Sequence, residues 1–151
     1  MDIKLTEEQA QLQDSVSRFM DNQCTFEFVR RMDSDSEQGF CRDMWRQFAE
    51  MGWLGIMVPE EYDGMGLDAL SMAIVTEELS RGWLSVGSVM TRMIITGTLL
   101  WHAGTEEQKK RFLPKISSGE LLTAAAFTEP DVGSDTGSMK CRAVKEGDKY
   151  M

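Results

Sequence analysis

The segment FTEPDVGSD at residues 127–135 combines residue types suited to holding a small ligand. Thr128 offers a side-chain hydroxyl and a backbone amide, and Gly133 followed by Ser134 predicts a tight turn. The amides and the hydroxyl of such a turn can approach a phosphate group. These features predict a binding loop and not a nucleophile site.

Other residue types exclude several classes of site. His102 is the only histidine, so a multi-histidine metal site is excluded and a Ser-His-Asp triad would have to use it. Its position near the end of an apolar helix predicts a structural role at the helix dipole. Three widely spaced cysteines without a CxxC pattern predict free thiols, with no disulfide framework and no zinc site: Cys24, Cys41 and Cys141.

Two charged residues occupy positions that need an explanation. Glu129 is followed by Pro130 in a turn, which is typical of a carboxylate that accepts backbone amides and not of a catalytic base. Arg92 lies in the middle of the most apolar stretch of the chain, so its guanidinium must find a partner or water.

Composition limits the possible partners. The 151 residues hold 42% hydrophobic and 27% charged residues, enough for one packed domain or for one domain and the opening of a second. Sixteen Lys and Arg against 25 Asp and Glu give a net charge of −9, which disfavours nucleic acid and anionic membranes. No run of about 18 uncharged apolar residues is present, and no signal peptide is evident, so a cytoplasmic protein is predicted.

The elements that must position these residues are mainly helices. Capping-box sequences at Thr6 and Thr105, an N-cap at Asp68, and stops at Gly52 and Gly82 delimit them. Five helices are predicted, from Thr6 to about Asn22, Arg42 to Met51, Asp68 to Arg81, Ser85 to Ala103 and Thr105 to Phe112. Residues 53–66, rich in glycine, are predicted to form an ordered loop.

Apolar spacing predicts the buried faces. The inward residues of the first three helices are Leu12, Val16, Phe19 and Met20, then Met44, Trp45, Phe48 and Met51, then Leu70, Ile74 and Leu79. The helix from Ser85 to Ala103 is apolar around most of its circumference, which predicts the central helix of a bundle.

The chain changes character after Gly119. Leu121–Phe127 and Met139–Val144 are predicted strands, and KEGDK is a turn leading to Tyr150. The predicted fold is therefore mostly α, with a helical bundle at residues 1–119 followed by the first strands of a β-domain at residues 120–151. The hairpin is left with an unpaired edge, which predicts the first part of something longer.

Three segments carry a family resemblance. VPEEYDGMG at 58–66, GTEEQKKRFLPKISSGE at 104–120 and FTEPDVGSD at 127–135 resemble, in this order, the acyl-CoA dehydrogenase family of flavoenzymes. The resemblance implies a helical N-terminal domain, a middle β-domain and a C-terminal four-helix domain. It also implies α,β-dehydrogenation of an acyl-CoA thioester, in which a carboxylate removes the α-proton and a hydride passes from the β-carbon to N5 of FAD.

The resemblance also implies roles for particular residues. Ala125, Ala126, Phe127 and Thr128 match the stretch that lines the flavin pyrimidine edge, with Thr128 expected to form a direct hydrogen bond. Gly133 and Ser134 match the cofactor-contact turn, and Ser134 is expected between the cofactor and the CoA portion of the substrate. Phe127 and Val132 stand where smaller residues are common. No residue matches the catalytic base, which is expected beyond residue 151.

The resemblance implies partners and leaves alternatives open. The expected partners are an acyl-CoA substrate, an electron-transfer flavoprotein, and further copies of the enzyme in a tetramer or dimer. Arg92 either forms a structural salt bridge or faces the acyl pocket and pairs with the distal carboxylate of a succinyl- or glutaryl-type thioester. The alternative functions are a flavin-dependent monooxygenase on the same fold and a non-catalytic helical binding module.

Overall fold

Helices dominate the architecture, as the sequence predicts. The computed structural model describes residues 4–35 and 41–151. The helices in these ranges are α1 (Glu7–Gln23), α2 (Phe26–Asp35), α3 (Arg42–Glu50), α4 (Ala69–Gly82), α5 (Leu84–Ala103) and α6 (Glu106–Ser117). A two-residue hairpin of β1 (Lys145–Glu146) and β2 (Lys149–Tyr150) follows, with Lys145 opposite Tyr150.

The predicted helix starts are confirmed by their caps. Thr6 accepts a hydrogen bond from the Gln9 amide through its hydroxyl, at 3.2 Å, and the Gln9 side chain accepts from the Thr6 amide at 3.1 Å. Thr105 and Gln108 form the same reciprocal pair at the start of α6. Each box satisfies two backbone groups that the first helical turn leaves without partners.

Helix α2 was not predicted. Thr25 caps it, because its hydroxyl accepts from the Phe28 amide at 3.2 Å. The Phe28 ring then packs edge-to-face on Trp83, with centroids 5.9 Å apart. The apolar side chains that α2 packs against the core, Phe28, Val29 and Met32, are only partly buried. Thr25 is the local signal that could have located this helix.

Helix α6 continues beyond its predicted end at Phe112, through Pro114 to Ser117. A proline inside a helix lacks the amide hydrogen of a normal backbone bond. Here the final turn carries Leu113 and Ile116, both almost completely buried. Burial of these two side chains offsets the missing backbone bond, which explains why the helix does not stop.

The core lies between α1, α4, α5 and α6, with α3 and the following turn against it. Most predicted inward residues are buried: Val16, Met20, Met44, Trp45, Phe48, Ile74 and Leu79. Two predictions are wrong, since Met51 and Leu70 are exposed. Met51 lies past the last turn of α3, and Leu70 lies at the edge of a buried stripe that runs through Ser71, Ile74, Val75 and Leu79.

Helix α5 is not enclosed on all sides, contrary to the prediction. Met90, Met93 and Ile94 are buried against the neighbouring helices, whereas Leu84 and Leu99 are 74% and 52% exposed. The prediction that α5 is buried around most of its circumference is therefore wrong for one face. By length and composition alone, α5 is also apolar enough to cross a membrane, and 28% of its most apolar window is buried in the described chain.

Residues 53–66 form the ordered loop that the sequence predicts. Two short 3-10 turns, Trp53–Gly55 and Glu60–Tyr62, are held by backbone bonds that include the Met65 amide on the Gly55 carbonyl at 3.0 Å. A Cβ at Gly64 would lie 1.9 Å from the Val58 carbonyl oxygen, so only glycine fits there.

The predicted strands at 121–127 and 139–144 are not present as strands in the described chain. A strand requires a partner for its ladder of backbone bonds, and within the described residues only Val144 of these two segments has a backbone-paired neighbour. The KEGDK turn is confirmed, and Val144 and Met151 extend the hairpin through two backbone bonds of 3.0 and 2.9 Å.

Candidate functional site

Glu129 anchors the FTEPDVGSD segment to the chain that follows it. Its two carboxylate oxygens accept the backbone amides of Lys140, at 2.9 Å, and Cys141, at 2.8 Å. These two bonds lower the pKa of Glu129 below its usual value, because they stabilise the charged form. The predicted structural role of Glu129 as an amide acceptor is confirmed.

A tight turn follows at residues 129–132. The Glu129 amide donates to the Val132 carbonyl at 2.9 Å, and the Val132 amide donates back to the Glu129 carbonyl at 3.2 Å. Val132, one of the two residues that depart from the family pattern, is buried. Pro130 presets the backbone angle at the second turn position, so the sequence itself stiffens this corner.

Three of the predicted cofactor residues line one open groove of about 630 Å³. They are Ala126, Phe127 and Thr128, and Ala125, Gly133 and Ser134 are not among the lining residues. The opposite wall comes from the final segment: Met139, Cys141, Arg142, Ala143, Tyr150 and Met151. Sequence reasoning did not single out Arg142, the one cation in the lining, because nothing in its neighbours marks a binding pattern.

The groove and the two residues that precede it in the chain present hydrogen-bonding groups that the described residues leave free. The Thr128 hydroxyl has no partner within residues 4–35 and 41–151, nor do the backbone amides of residues 124–128. Exposed donors within one short segment suit a ligand whose edge carries carbonyl and ring-nitrogen acceptors. A flavin has such an edge, so the donor set fits the cofactor that the resemblance implies.

The turn at Gly133 is also open. A Cβ at Gly133 would meet no atom within 4 Å, so the surrounding chain does not require glycine there. Ser134 is exposed beside it, and its hydroxyl forms no hydrogen bond with a described residue. This turn is accessible to a ligand, and the predicted contacts of Gly133 and Ser134 stay predictions.

Helix α5 is joined to the segment that enters the groove. The Thr96 and Thr123 hydroxyls share a short hydrogen bond, and the Thr123 amide and hydroxyl lie 3.4 and 3.3 Å from the Met93 sulfur. Thr123 is five residues before Thr128. The groove segment therefore starts from a fixed point on α5.

Arg92 lies one turn before Thr96 on α5, and its side chain is exposed. Its guanidinium contacts the Ser88 hydroxyl at 3.5 Å. The structural salt bridge considered for Arg92 does not form with any carboxylate in the described ranges. The cation remains available to a partner outside them.

The chain is similar to one known protein family and to individual members of it. Residues 6–120 match the family description "Acyl-CoA dehydrogenase, N-terminal domain". The chain is 52% identical over 103 residues to (2S)-methylsuccinyl-CoA dehydrogenase of Cereibacter sphaeroides, covering 68% of this chain and 19% of that protein. It is 38% identical over 148 residues to the mitochondrial isovaleryl-CoA dehydrogenase of Bos taurus, covering 97% of this chain and 34% of that protein.

A solved structure shows the same similarity in three dimensions. It is described as the electron transferring flavoprotein of Acidaminococcus fermentans, and it superposes with a TM-score of 0.82 at 34% identity. The superposition covers 99% of this chain and 39% of the matched chain. In each comparison the chain spans well under half the length of the protein that it matches.

Proposed function

The chain belongs to the acyl-CoA dehydrogenase family, and on that basis we propose that it supplies the helical part of an enzyme that dehydrogenates an acyl-CoA thioester. The product would be the 2-enoyl-CoA. The observation that carries this proposal is the row of free donors at residues 124–128, held between the Thr96–Thr123 contact and the Glu129 anchor. In this proposal the free donors bind one edge of a flavin.

FAD, when bound, supplies the acceptor for the hydride that leaves the β-carbon. In this proposal the backbone amides of Ala125, Ala126 and Phe127 and the hydroxyl of Thr128 hold the cofactor edge. Ser134 contributes its hydroxyl between the cofactor and the CoA portion of the substrate. The Glu129 anchor keeps the corner rigid, so the binding groups need little reordering when a ligand enters.

The catalytic base is proposed to lie outside this chain. Both oxygens of Glu129 already accept backbone amides, which makes this carboxylate a poor proton acceptor. His102 is exposed at the far end of α5, beside Trp101 and away from the groove lining. The chain's own residues therefore bind and orient, and proton removal falls to another part of the enzyme.

The proposal also includes a class of substrate and two kinds of partner. The 52% identity to a (2S)-methylsuccinyl-CoA dehydrogenase supports a short acyl group that carries a second carboxylate. The matched chain comes from a solved structure described as an electron transferring flavoprotein, which supports electron transfer to a partner of that kind. Assembly as a dimer or tetramer is proposed from the family resemblance.

Anaerobic reduction of the complete gene product tests this function. The FAD-loaded protein should lose its flavin absorbance when a panel of acyl-CoA esters is added without oxygen. A Thr128→Ala variant should bind FAD less tightly, by about tenfold for one lost hydrogen bond. Rapid oxygen consumption without any acyl-CoA would instead indicate a monooxygenase and contradict the proposal.

A further inference from the structure

Three sulfur atoms meet where the end of α1 approaches α3. The Cys24 thiol sulfur lies 3.7 Å from the Met20 sulfur and 3.6 Å from the Met44 sulfur. Cys24 is the C-cap of α1 and follows Met20 by four residues, so both side chains lie on one side of that helix, and Met44 comes from α3. All three side chains are more than nine-tenths buried. The fold therefore gathers one thiol and two thioethers from two helices.

The chemistry of these donors favours a soft cation. Thiolate and thioether sulfur select Cu(I), whereas hard cations such as Mg²⁺ and Ca²⁺ take oxygen ligands. Within residues 4–35 and 41–151, no group of three His, Cys, Asp or Glu side chains is placed to hold a metal ion together. The structure therefore favours a sulfur-only site over a zinc or magnesium site in this part of the chain.

The spacing of the sulfurs also suits a shared metal ion. Sulfur atoms bound at about 2.3 Å to one metal lie about 3.8 Å apart in a tetrahedral arrangement and about 4.0 Å apart in a trigonal one. The contacts of Cys24 with Met20 and Met44, at 3.7 and 3.6 Å, are close to these values. A cation would therefore need only small side-chain movements, and it would replace two weak S–H contacts with metal–sulfur bonds.

A cation can reach the cluster from solvent. An open groove of about 580 Å³ has Met20 and Cys24 in its lining, together with the carboxylates of Asp21 and Asp33. Arg81 also lines this groove, but its guanidinium is paired with Asp21 at 2.9 Å and with Glu78 at 2.7 Å. The entrance therefore places no unpaired arginine in the path of a cation.

Cys24 must lose its proton to bind the cation. Burial, with a smaller contribution from nearby Cys41, raises the pKa of the Cys24 thiol to about 11, so the thiol is protonated near neutral pH. Binding exchanges one proton for one cation: the S–H bond breaks, a sulfur–metal bond forms and the proton passes to solvent. No electron is transferred in this step.

We propose that Cys24, Met20 and Met44 form a binding site for one soft monovalent cation, Cu(I) or Ag(I). Cys24 binds as the thiolate, and the two methionines bind through their thioether sulfurs. The proposal does not rest on the dehydrogenase function, since neither FAD nor acyl-CoA takes part in the binding. A competing explanation is a two-thiol site of Cys24 and Cys41, whose affinity would not depend on the methionines.

Anaerobic competition for Cu(I) tests the site in the complete gene product. Bathocuproine disulfonate, a chelator that is coloured when it holds Cu(I), measures how much of the ion the protein retains. Wild type should retain one equivalent that Cys24→Ser loses, with an affinity lowered about 100-fold or more. Met20→Leu and Met44→Leu preserve the packed volume and should each lower the affinity about tenfold.

Two variants serve as matched controls. Met90→Leu removes the sulfur of a methionine that is equally buried but belongs to α5. Cys141→Ser removes an exposed thiol. Both should retain Cu(I) as the wild type does. Circular dichroism confirms that each variant is folded, and the two leucine variants keep the test decisive if Cys24→Ser does not fold.

X-ray absorption of the Cu(I)-loaded protein gives a second, direct measurement. The expected result is a copper ion whose nearest neighbours are sulfur atoms only, at about 2.3 Å. Nitrogen or oxygen neighbours would overturn the proposal. Wild-type affinity in both Met20→Leu and Met44→Leu would also overturn it, and together with an equal loss in Cys41→Ser and Cys24→Ser it would establish the two-thiol site instead.

Discussion

The Thr96 hydroxyl on α5 is hydrogen-bonded to the Thr123 hydroxyl at the start of the segment that lines the groove. This contact links residues 27 positions apart in the chain and is partly buried. Together with the two sulfur contacts of Thr123 to Met93, it fixes where the chain leaves the helical bundle. The placement of the proposed flavin segment depends on this junction.

Thr123→Val tests the junction. Valine keeps the shape of threonine but removes the hydroxyl, so the Thr96 bond is lost and the domain should be destabilised by about 1 kcal/mol. Because residues 124–128 would then be less ordered, FAD affinity of the complete enzyme should fall as well. Urea unfolding and flavin titration measure the two effects. A loss of stability without any change in FAD affinity would refute the proposed coupling.

Glu129→Gln tests the anchor. An amide side chain can accept only one of the two backbone amides at Lys140 and Cys141, so residues 139–144 should become more accessible to hydrogen exchange. A Thr136→Val variant, in the separate 3-10 turn Thr136–Ser138 and outside this pair of bonds, serves as the control. Equal exchange in Glu129→Gln and the wild type would show that the anchor contributes nothing.

The pH dependence of the anchor follows from its lowered pKa. A depressed folded pKa gives stability that is present above the usual carboxyl value of 4.5 and is lost as pH falls through the folded value. The difference in unfolding free energy between wild type and Glu129→Gln should therefore be largest near neutral pH and shrink in acid. A difference that stays constant down to pH 3 would contradict this assignment.

The sequence predicted a helix or strand correctly where its local signals agreed with the burial of its side chains. The capping boxes at Thr6 and Thr105 are local chemistry and located two helix starts correctly. Pro114 suggested a helix end that tertiary burial of Leu113 and Ile116 overruled. Residues 121–127 have strand-like composition, but composition cannot supply the neighbouring strand that a ladder requires.

In the candidate site, too, the sequence predicted local chemistry and did not predict long-range packing. The turn at Glu129 and its role as an amide acceptor were readable from the Glu-Pro pair, because that chemistry is local. The approach of Thr123 to Thr96 and the exposure of Arg92 were not readable, since both depend on how α5 packs against distant residues. Apolar periodicity alone could not tell which face of α5 the described chain would leave open.

Tyr62 and Glu106 form a second pH-sensitive contact. The Tyr62 hydroxyl donates to the Glu106 carboxylate at 2.9 Å, and burial followed by this bond raises the pKa of Tyr62 to about 12. The raised pKa makes the stabilisation complete below the usual tyrosine pKa of 10 and removes it as pH rises toward 12. Tyr62→Phe should therefore show a shallower loss of stability in this range. Parallel curves for the two proteins would exclude Tyr62 as the titrating group.

Gly119 is the glycine whose replacement should cost the most at the end of the helical bundle. Its φ is +72°, and a Cβ there would lie 2.8 Å from Leu54 Cδ1 and 2.9 Å from the Trp45 indole nitrogen. That indole also donates to the Gly119 carbonyl at 3.2 Å, so the neighbours cannot move without losing a hydrogen bond. Gly119→Ala should destabilise the domain by about 3 kcal/mol, from backbone strain plus overpacking.

Gly66→Ala is the matched control for this steric effect. Gly66 has a φ of +61°, but a Cβ there would come no closer than 3.6 Å to Glu60, an ordinary contact. Its substitution should therefore cost only the backbone strain, about 1 kcal/mol. Urea unfolding of the two variants measures the difference directly. Equal costs at the two positions would show that Leu54 and Trp45 yield easily, and that the junction after α6 is looser than its contacts indicate.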